Sequence, residues 1–320
     1  MTEAVLPRPS WWRWAGDAFL RRREASVLVV ALGLVVYFQA STPIFLTTDN
    51  LRNIAQATAP TAIVAVGIVF LLVSGEIDIS VGMVAALAPY LMHYAIDFYH
   101  VPAVPAILLS LAIAAGIGLI NGLITTRLRV PSFVTTLGMF YLLYGVLLTT
   151  SHAYPVAVPE AVKGSLQTWL GAGDWASLSW CLLVVAIFHI VLTRTRWGLH
   201  TISVGGNLLG ATEAGIRANR IKVGNFMLVS VFGAFAGLME AFRINSIDPN
   251  IGGGTRVTFT AIAAAVIGAL LGMVVLAELQ NGFNLIGISA NTFFLIQGLA
   301  ILISMIANQY LSRLRRAGRS

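Results

Sequence analysis

Long apolar stretches run through the whole chain and are separated by short polar segments. The stretches approach the ~20 residues that an α-helix needs to cross the ~30 Å hydrocarbon core of a bilayer. The pattern predicts ten membrane-crossing helices, at roughly 26–43, 56–74, 79–97, 104–126, 132–150, 178–194, 225–243, 259–273, 274–290 and 293–309. We therefore expect an all-α protein built as a polytopic transmembrane helical bundle.

Composition excludes a soluble globular protein. Hydrophobic residues make up 58% of the 320 residues, charged residues only 10%, and the mean hydropathy is +0.84. Cys181 is the single cysteine, so no disulfide can form within the chain, and it lies inside an apolar stretch. The first apolar stretch follows Arg21, Arg22 and Arg23 without a small-residue processing site, so we expect no cleaved signal peptide.

Basic residues predict the orientation in the membrane. If the chain crosses the membrane about ten times, most basic residues lie on the same side as the N-terminus. Loops rich in arginine and lysine face the cytoplasm. That side carries the 194–222 loop and Arg127, Arg129, Arg313, Arg315, Arg316 and Arg319. The opposite side keeps only Arg52, Lys163, Arg243 and Arg256. Both termini of a multi-pass membrane protein are therefore expected to be cytoplasmic.

The chain divides into three parts. Residues 1–25 mix tryptophan with arginine, which is typical of a cytoplasmic segment lying in the lipid headgroups, although a disordered tail has a similar composition. Residues 26–310 form the transmembrane domain, and residues 311–320 form a basic cytoplasmic tail. The longest external segments are the 151–177 and 244–256 loops, and both are candidate docking surfaces.

The most informative segment is the polar island between Thr193 and Phe226. One acid, Glu213, stands there among several basic residues: Arg194, Arg196, Arg217, Arg220 and Lys222. A glycine-rich turn followed by a short run of helix formers predicts an ordered helix. An ordered helix in a cytoplasmic loop (194–224) predicts a protein partner.

Residues 259–290 pose a length problem. Fully helical they would reach about 48 Å, which is too short for two ordinary crossings. One continuous helix would place the basic C-terminus outside, against the charge bias. We therefore expect two short helices hinged near Gly268 and Gly272.

Several polar side chains interrupt the apolar spans. Glu76 and Asp78 either line a transport path or belong to a helix boundary at the cytoplasmic side, where Asp78 or Ser80 would cap the next helix. Glu240 and Arg243 stand three apart, so a local ion pair is favoured over contact with a docking protein.

Three amides at membrane depth, Asn121, Asn281 and Asn284, either hold helices together or border a polar path. Gly118 and Gly122 form a small-residue pair that lets another helix approach closely. The five histidines lack metal-ligand spacing, and no G-x-x-x-x-G-K-[ST] run exists to bind nucleotide phosphates. We expect neither an enzyme nor a bound metal or cofactor.

The order of these segments resembles the permease subunits of bacterial ABC importers for ribose, arabinose, xylose, galactosides and related sugars. SGEIDISVGMVAALA is similar to that family's GGIDLSVG-type segment, and AIAAAVIG and NGFNLIGI also match. A further motif has a G-x-x-N-G part and a following P-x-F-x-x-T-L-G helix, carried by Gly118, Asn121, Gly122, Pro131, Phe133, Thr136, Leu137 and Gly138. The resemblance covers roughly residues 40–310.

The resemblance implies a role for the cytoplasmic loop and several partners. It identifies the loop as the region that couples to a cytoplasmic ATPase, through Gly198, Gly205, Asn207, Ala211, Glu213, Ala214, Gly215 and Ile216. Two permease subunits, identical or different, would form the pathway in the lipid bilayer. Two ATPase subunits would hydrolyse ATP, and a periplasmic or extracellular sugar-binding protein would deliver a monosaccharide of the pentose or hexose class.

Two departures from the family pattern bear on function. The acids of its G-x-E-L-D-A-I-A-A stretch are replaced by Thr258 and Thr260, and about sixteen residues are missing after Gly268. The gap agrees with the length problem above. It leaves open a divergent partner subunit or a membrane scaffold without transport activity. A transporter or channel that works alone is a further alternative, although the sequence shows no clear inverted repeat.

Overall fold

The structure is a computed structural model that describes residues 23–249, 251–267, 270–288 and 298–299. Three predictions fall wholly or mostly on other residues: the interfacial N-terminal segment, the span at 293–309 and the basic tail. The described chain is helical apart from short connections and one small sheet.

Eleven helices are labelled here in chain order, and their bounds follow. They are α1 (Arg23–Ser41), α2 (Thr48–Val73), α3 (Val81–Asp97), α4 (Ala103–Arg127), α5 (Ser132–Ser151), α6 (Ala176–Arg194), α7 (Arg196–Gly206), α8 (Leu208–Glu213), α9 (Ala218–Ile244), α10 (Ile251–Ile267) and α11 (Leu270–Leu285). Short helical turns also lie at Glu160–Val162, Ser165–Gln167 and Thr168–Ala172.

Five of the described helices are long and apolar enough to cross a membrane: α2, α4, α5, α6 and α9. Each of the nine predicted spans before residue 291 overlaps a helix of the structure, but the span at 259–273 overlaps two, α10 and the start of α11. The prediction of a multi-pass helical membrane protein agrees with this. Helix α2 begins earlier than predicted because the Thr47 hydroxyl accepts the backbone N–H of Asn50 at 3.4 Å.

Helix α9 is the central helix and packs against α2, α3 and α4. Gly118 and Gly122 of α4 lie directly on its backbone. A Cβ added to Gly118 would stand 2.6 Å from Met227 Cα, and one added to Gly122 would stand 2.8 Å from Val223 Cα. The predicted small-residue contact is confirmed, since any larger residue would push the two helices apart.

Helix α3 begins inside the bundle. It has 17 residues, about 25 Å of helix, which is less than the bilayer core. Its first residue, Val81, lies against Gly233 near the middle of α9, whereas the preceding helix ends beside Asn225, close to the start of α9. Residues 74–80, the inner segment, therefore run into the interior as non-helical backbone.

Helices α10 and α11 form a hairpin. A Cβ added to Gly272 would stand 2.6 Å from the carbonyl oxygen of Ala264. In one continuous helix these two positions would be roughly 12 Å apart. The two short helices predicted from length are thus present. Helix α10 begins at Ile251, however, so the predicted 244–256 loop is wrong over its last residues, which are helical.

The two predicted external loops meet in a small sheet. Strand β1 (Val156–Ala157) pairs antiparallel with β2 (Ser246–Ile247). The Tyr90 hydroxyl of α3 donates to the Tyr154 carbonyl just before β1 at 2.7 Å and also lies 3.2 Å from the Ile247 carbonyl of β2, so it ties α3 to both loops. The all-α class stands, and the sequence did not predict this short pairing, because backbone pairing between distant loops carries no periodic signal in the sequence. This end of the molecule is called the strand end, and the opposite end, with α7 and α8, the basic end.

Candidate functional site

The basic-end loop folds as a compact helical unit. The Thr195 hydroxyl caps α7 by accepting the N–H of Gly198 at 3.3 Å, and Asn207 Oδ1 caps α8 by accepting the N–H of Gly210 at 3.0 Å. A small apolar core holds the unit together and comprises Val204, Ala211, Ala218 and Ile221, with Ile216 packed against it. Asn207, Ala211 and Ile216 thus build the fold of the loop.

The loop glycines allow close approach or a left-handed turn. A Cβ on Gly198 would overlap the carbonyls at the end of α6, and one on Gly205 would overlap the carbonyl of Val73, the last residue of α2. Gly215 has a φ of +82°, which side chains rarely adopt. The first two sit at contacts with spanning helices, and the third forms the turn after α8.

The unit exposes several large apolar side chains. Leu199, Ile202, Leu208 and Leu209 have exposed fractions between 46% and 69%, and Glu213 and Ala214 are exposed beside them. Sequence reasoning missed the leucine pair, although two leucines opening a helix in a polar loop were a visible signal. Clustered exposed leucines on such a loop are typical of a protein contact.

Asn225, which sequence reasoning also missed, ties this unit to the membrane helices. It is fully buried, and its amide nitrogen donates to the Phe70 carbonyl and the Ser74 hydroxyl, both at 3.2 Å. Its amide oxygen accepts Trp197 Nε1 at 3.0 Å. One side chain therefore joins α7, the end of α2 and the start of α9. Only its polarity at the edge of a predicted span could have pointed to it.

Glu76 bonds across the bundle to Lys222 of α9. The carboxylate and the ammonium are 2.5 Å apart, and their side chains are only 11% and 18% exposed. A nearly buried charge needs such a partner. The pair anchors the beginning of the inner segment to the basic end.

Asp78 is fully buried and does not lie with Glu76. Its Oδ1 accepts the backbone N–H of Ser80 at 2.7 Å and the Ser80 hydroxyl at 2.6 Å. Asn121 donates to Ser80 Oγ at 3.0 Å and to Asp78 Oδ2 at 3.4 Å. Of the two residues predicted to cap α3, Asp78 accepts the backbone N–H at the start of the helix, whereas the Ser80 hydroxyl makes no capping bond. The cluster fixes the inner segment against α4.

Thr258, which the family resemblance places at the position of an acid, takes part in the same junction. Its hydroxyl oxygen lies 3.0 Å from the donating Gly82 N–H and 3.3 Å from the Ile79 carbonyl. The first turn of a helix has N–H groups without helical acceptors. Thr258 of α10 supplies one acceptor for α3, so the replacement keeps the two helices joined.

The remaining predicted residues lie apart. Asn281 exchanges amide hydrogen bonds of 2.9 Å with Asn50 and so joins α11 to α2 at the strand end, while Asn284 is exposed there. Glu240 and Arg243 form the predicted ion pair, with bonds of 2.6 and 2.8 Å. Among the residues that the structure describes, no three of His, Cys, Asp or Glu are grouped to hold a metal ion.

Comparison with known proteins identifies the family to which the chain belongs. The family model described as the branched-chain amino acid transport system / permease component matches residues 50–310. The chain is 33% identical over 318 residues to a xylose/arabinose import permease protein of Sulfolobus acidocaldarius, covering 92% of this chain and 87% of the relative. It is 30% identical to the ribose import permease protein of Escherichia coli K12, covering 89% and 93%.

A third relative is the galactose/methyl galactoside import permease protein of Escherichia coli K12. The chain is 30% identical to it over 329 residues, covering 92% of this chain and 96% of the relative. No solved structure matches the chain significantly.

Proposed function

The chain belongs to this family of transport-system permease components, the membrane subunits of ABC importers, and on that premise we propose that it carries a monosaccharide of the pentose or hexose class across the bacterial inner membrane. One observation carries the substrate class. Three relatives matched over most of their length are each named as permeases for pentoses or hexoses. The permease itself is not the enzyme, since the ATPase of such importers is a separate subunit.

The proposed topology has about ten spans with both termini in the cytoplasm. Helix α1 runs toward the strand end, where Arg52 of α2 follows it beside Asp174. Helix α1 therefore begins on the side of the basic end, which carries the dense arginines. The positive-inside bias supports a cytoplasmic basic end and an external strand end. We retain the three parts 1–25, 26–310 and 311–320 as a proposal.

The 194–224 loop is the proposed docking site for the ATPase subunit. Its exposed leucines and Glu213 offer a contact surface, and its buried core makes it a rigid body. Through Asn225 and the Glu76–Lys222 pair, displacement of this unit would reach the inner segment. Such rigid-body coupling is how ATP-driven closure would switch access across the membrane.

We also keep the pathway hypothesis for Glu76, Asp78, Asn121, Asn281 and Asn284. Four of the five make hydrogen bonds or ion pairs within the protein in this conformation. These bonds are what the alternative hypothesis expects, in which the residues hold helices together. Their bonds would have to be exchanged for bonds to sugar hydroxyls during transport. Asn284 is exposed and needs no such exchange.

The partners of the proposed importer are the ATPase subunits, an external sugar-binding protein and a second permease subunit, identical or different. The test is uptake of radiolabelled D-xylose, D-ribose, L-arabinose and D-galactose by cells that express the chain with its ATPase and binding protein. We expect uptake of at least one sugar, and its loss when the ATPase is omitted. Uptake that persists without the ATPase would support a transporter that works alone, and no uptake of any sugar would contradict the proposal.

A further inference from the structure

A cavity of about 240 Å³ lies between α2, α3, α9 and α10 and extends to Ser246 and Ile247 of β2 at the strand end. Thr61 and Ala86 line its sides, and Gly82 and Gly254, at the starts of α3 and α10, lie at its inner end. Both helices thus begin beside the cavity, in the interior of the bundle. Transport sites are often built where such discontinuous helices meet.

The lining combines hydrogen-bond donors and acceptors with balanced charge. Glu240 and Asp248 contribute carboxylates and Arg256 contributes a guanidinium. The Glu240 carboxylate is held from the side by Arg243, which adds a second positive charge. Two acids and two bases around one space suit a ligand without net charge. Carboxylate oxygens accept from hydroxyl groups, and guanidinium N–H groups donate to them.

The volume limits the size of the ligand. Sites for drug-sized ligands span roughly 300–1,000 Å³, so a cavity of about 240 Å³ admits one sugar ring but not two. Small residues line the space, among them Ala85 and Gly237, and Gly237 also lets α9 lie directly on α3, since a Cβ there would stand 1.9 Å from the Ala85 carbonyl oxygen.

The cavity is closed toward the basic end. Below Gly82, the Thr258 hydroxyl joins α10 to the inner segment, and the buried Asp78–Ser80–Asn121 cluster follows. A ligand entering from the strand end would therefore stop at this floor. The same inner segment is held by the Glu76–Lys222 pair near the proposed ATPase docking loop.

We propose that this cavity is the external binding site of the permease, where a single monosaccharide is held by Glu240, Asp248 and Arg256 before the floor opens. The assignment rests on the proposed function and goes further by naming a receiving site. None of the pathway residues expected from the sequence lines it: Glu76, Asp78, Asn121 and Asn281 are bonded at other contacts, and Asn284 is exposed.

The first experiment fills or neutralises the cavity. Ala86→Phe places a ring in the space, and Arg256→Gln removes the guanidinium. The matched control is Ala186→Phe, on the exposed face of α6. With the complete importer in vesicles, we expect both cavity variants to lower uptake of sub-saturating sugar by ~10-fold or more. Ala86→Phe does so by occupying the space, and Arg256→Gln by removing a hydrogen bond from a charged group, which is worth about that factor. The control should stay within about twofold of wild type.

The second experiment does not depend on transport by the variant. In a Cys181→Ala background, which removes the single cysteine, Ala86→Cys is labelled with a positively charged aqueous thiol reagent. We expect labelling, and slower labelling when sugar-loaded binding protein and the transported sugar are present. Tyr99→Cys, exposed in the connection after α3 at the strand end, should be labelled at a rate that the sugar does not change.

The outcomes separate the two proposals. Suppose that the wild type takes up sugar. If the cavity variants then take it up as well as Ala186→Phe does, or if sugar leaves the labelling of Ala86→Cys unchanged, the cavity is not the binding site, while the proposed importer function stands. A wild type that takes up none of the four sugars but takes up leucine would overturn the proposed substrate class and this site assignment together.

Discussion

The Glu76–Lys222 pair provides the sharpest test of how the inner segment is held. The two side chains are 11% and 18% exposed, with 2.5 Å between the carboxylate and the ammonium. Lys222→Met leaves an almost buried carboxylate without its cation. Breaking a buried pair costs about 3–5 kcal/mol, and residual exposure at the basic end argues for the lower limit, ~3 kcal/mol.

The control is built into the same protein. Lys163 also pairs with a glutamate, Glu160, but their side chains are 32% and 85% exposed. Lys163→Met should cost below ~1 kcal/mol, as for other surface pairs. The assay is thermal unfolding of the purified protein in detergent, followed by intrinsic tryptophan fluorescence, for both lysine variants, Glu76→Gln and the Glu76→Gln/Lys222→Met double variant.

We expect Lys222→Met to lower the stability clearly more than Lys163→Met does. The double variant should be more stable than Lys222→Met alone, because the remaining charge is gone as well. The exchanged variant Glu76→Lys/Lys222→Glu should recover part of the loss. Equal effects of the two lysine variants, or strictly additive effects of the Glu76 and Lys222 changes, would refute the reasoning.

Three further predictions concern coupling and the path. Replacing Glu213 and Gly215 together by leucine should uncouple ATP hydrolysis from sugar uptake while leaving membrane insertion intact. The docking surface changes, and the φ of +82° at Gly215 disfavours a side chain. Unchanged coupling would exclude this docking site. Asn225→Leu removes three buried hydrogen bonds of 3.0–3.2 Å and should lower the free energy of unfolding by about 3 kcal/mol, measured by thermal unfolding. The control Asn53→Leu, at an exposed position, should change it hardly at all. Equal losses would contradict the role given to Asn225. A cysteine at Asn121 should react with aqueous thiol reagents in at least one nucleotide state, and protection in every state would favour a pure helix contact.

Local patterns in the sequence determined most of the helices. Spans of apolar residues are long because the bilayer core is thick, and this requirement is visible without any partner. The Glu240–Arg243 pair and the Gly118/Gly122 contact followed in the same way, since residues three or four apart share one helix face. The shortened hairpin at α10 and α11 also followed, because length alone limits how far a helix reaches.

The tertiary structure decided which polar groups meet. Glu76 and Asp78 are neighbours in sequence, yet one bonds to Lys222 and the other to Ser80 and Asn121. The β1–β2 pairing likewise joins loops that lie far apart in the chain.

The cavity has the same origin, since four separate helices contribute its walls. Hydrophobic periodicity specifies that a face is buried, but not against which face, because apolar packing has no direction. The partner of a polar side chain is fixed only when the helices have docked, since a hydrogen bond depends on distances and angles between groups remote in sequence.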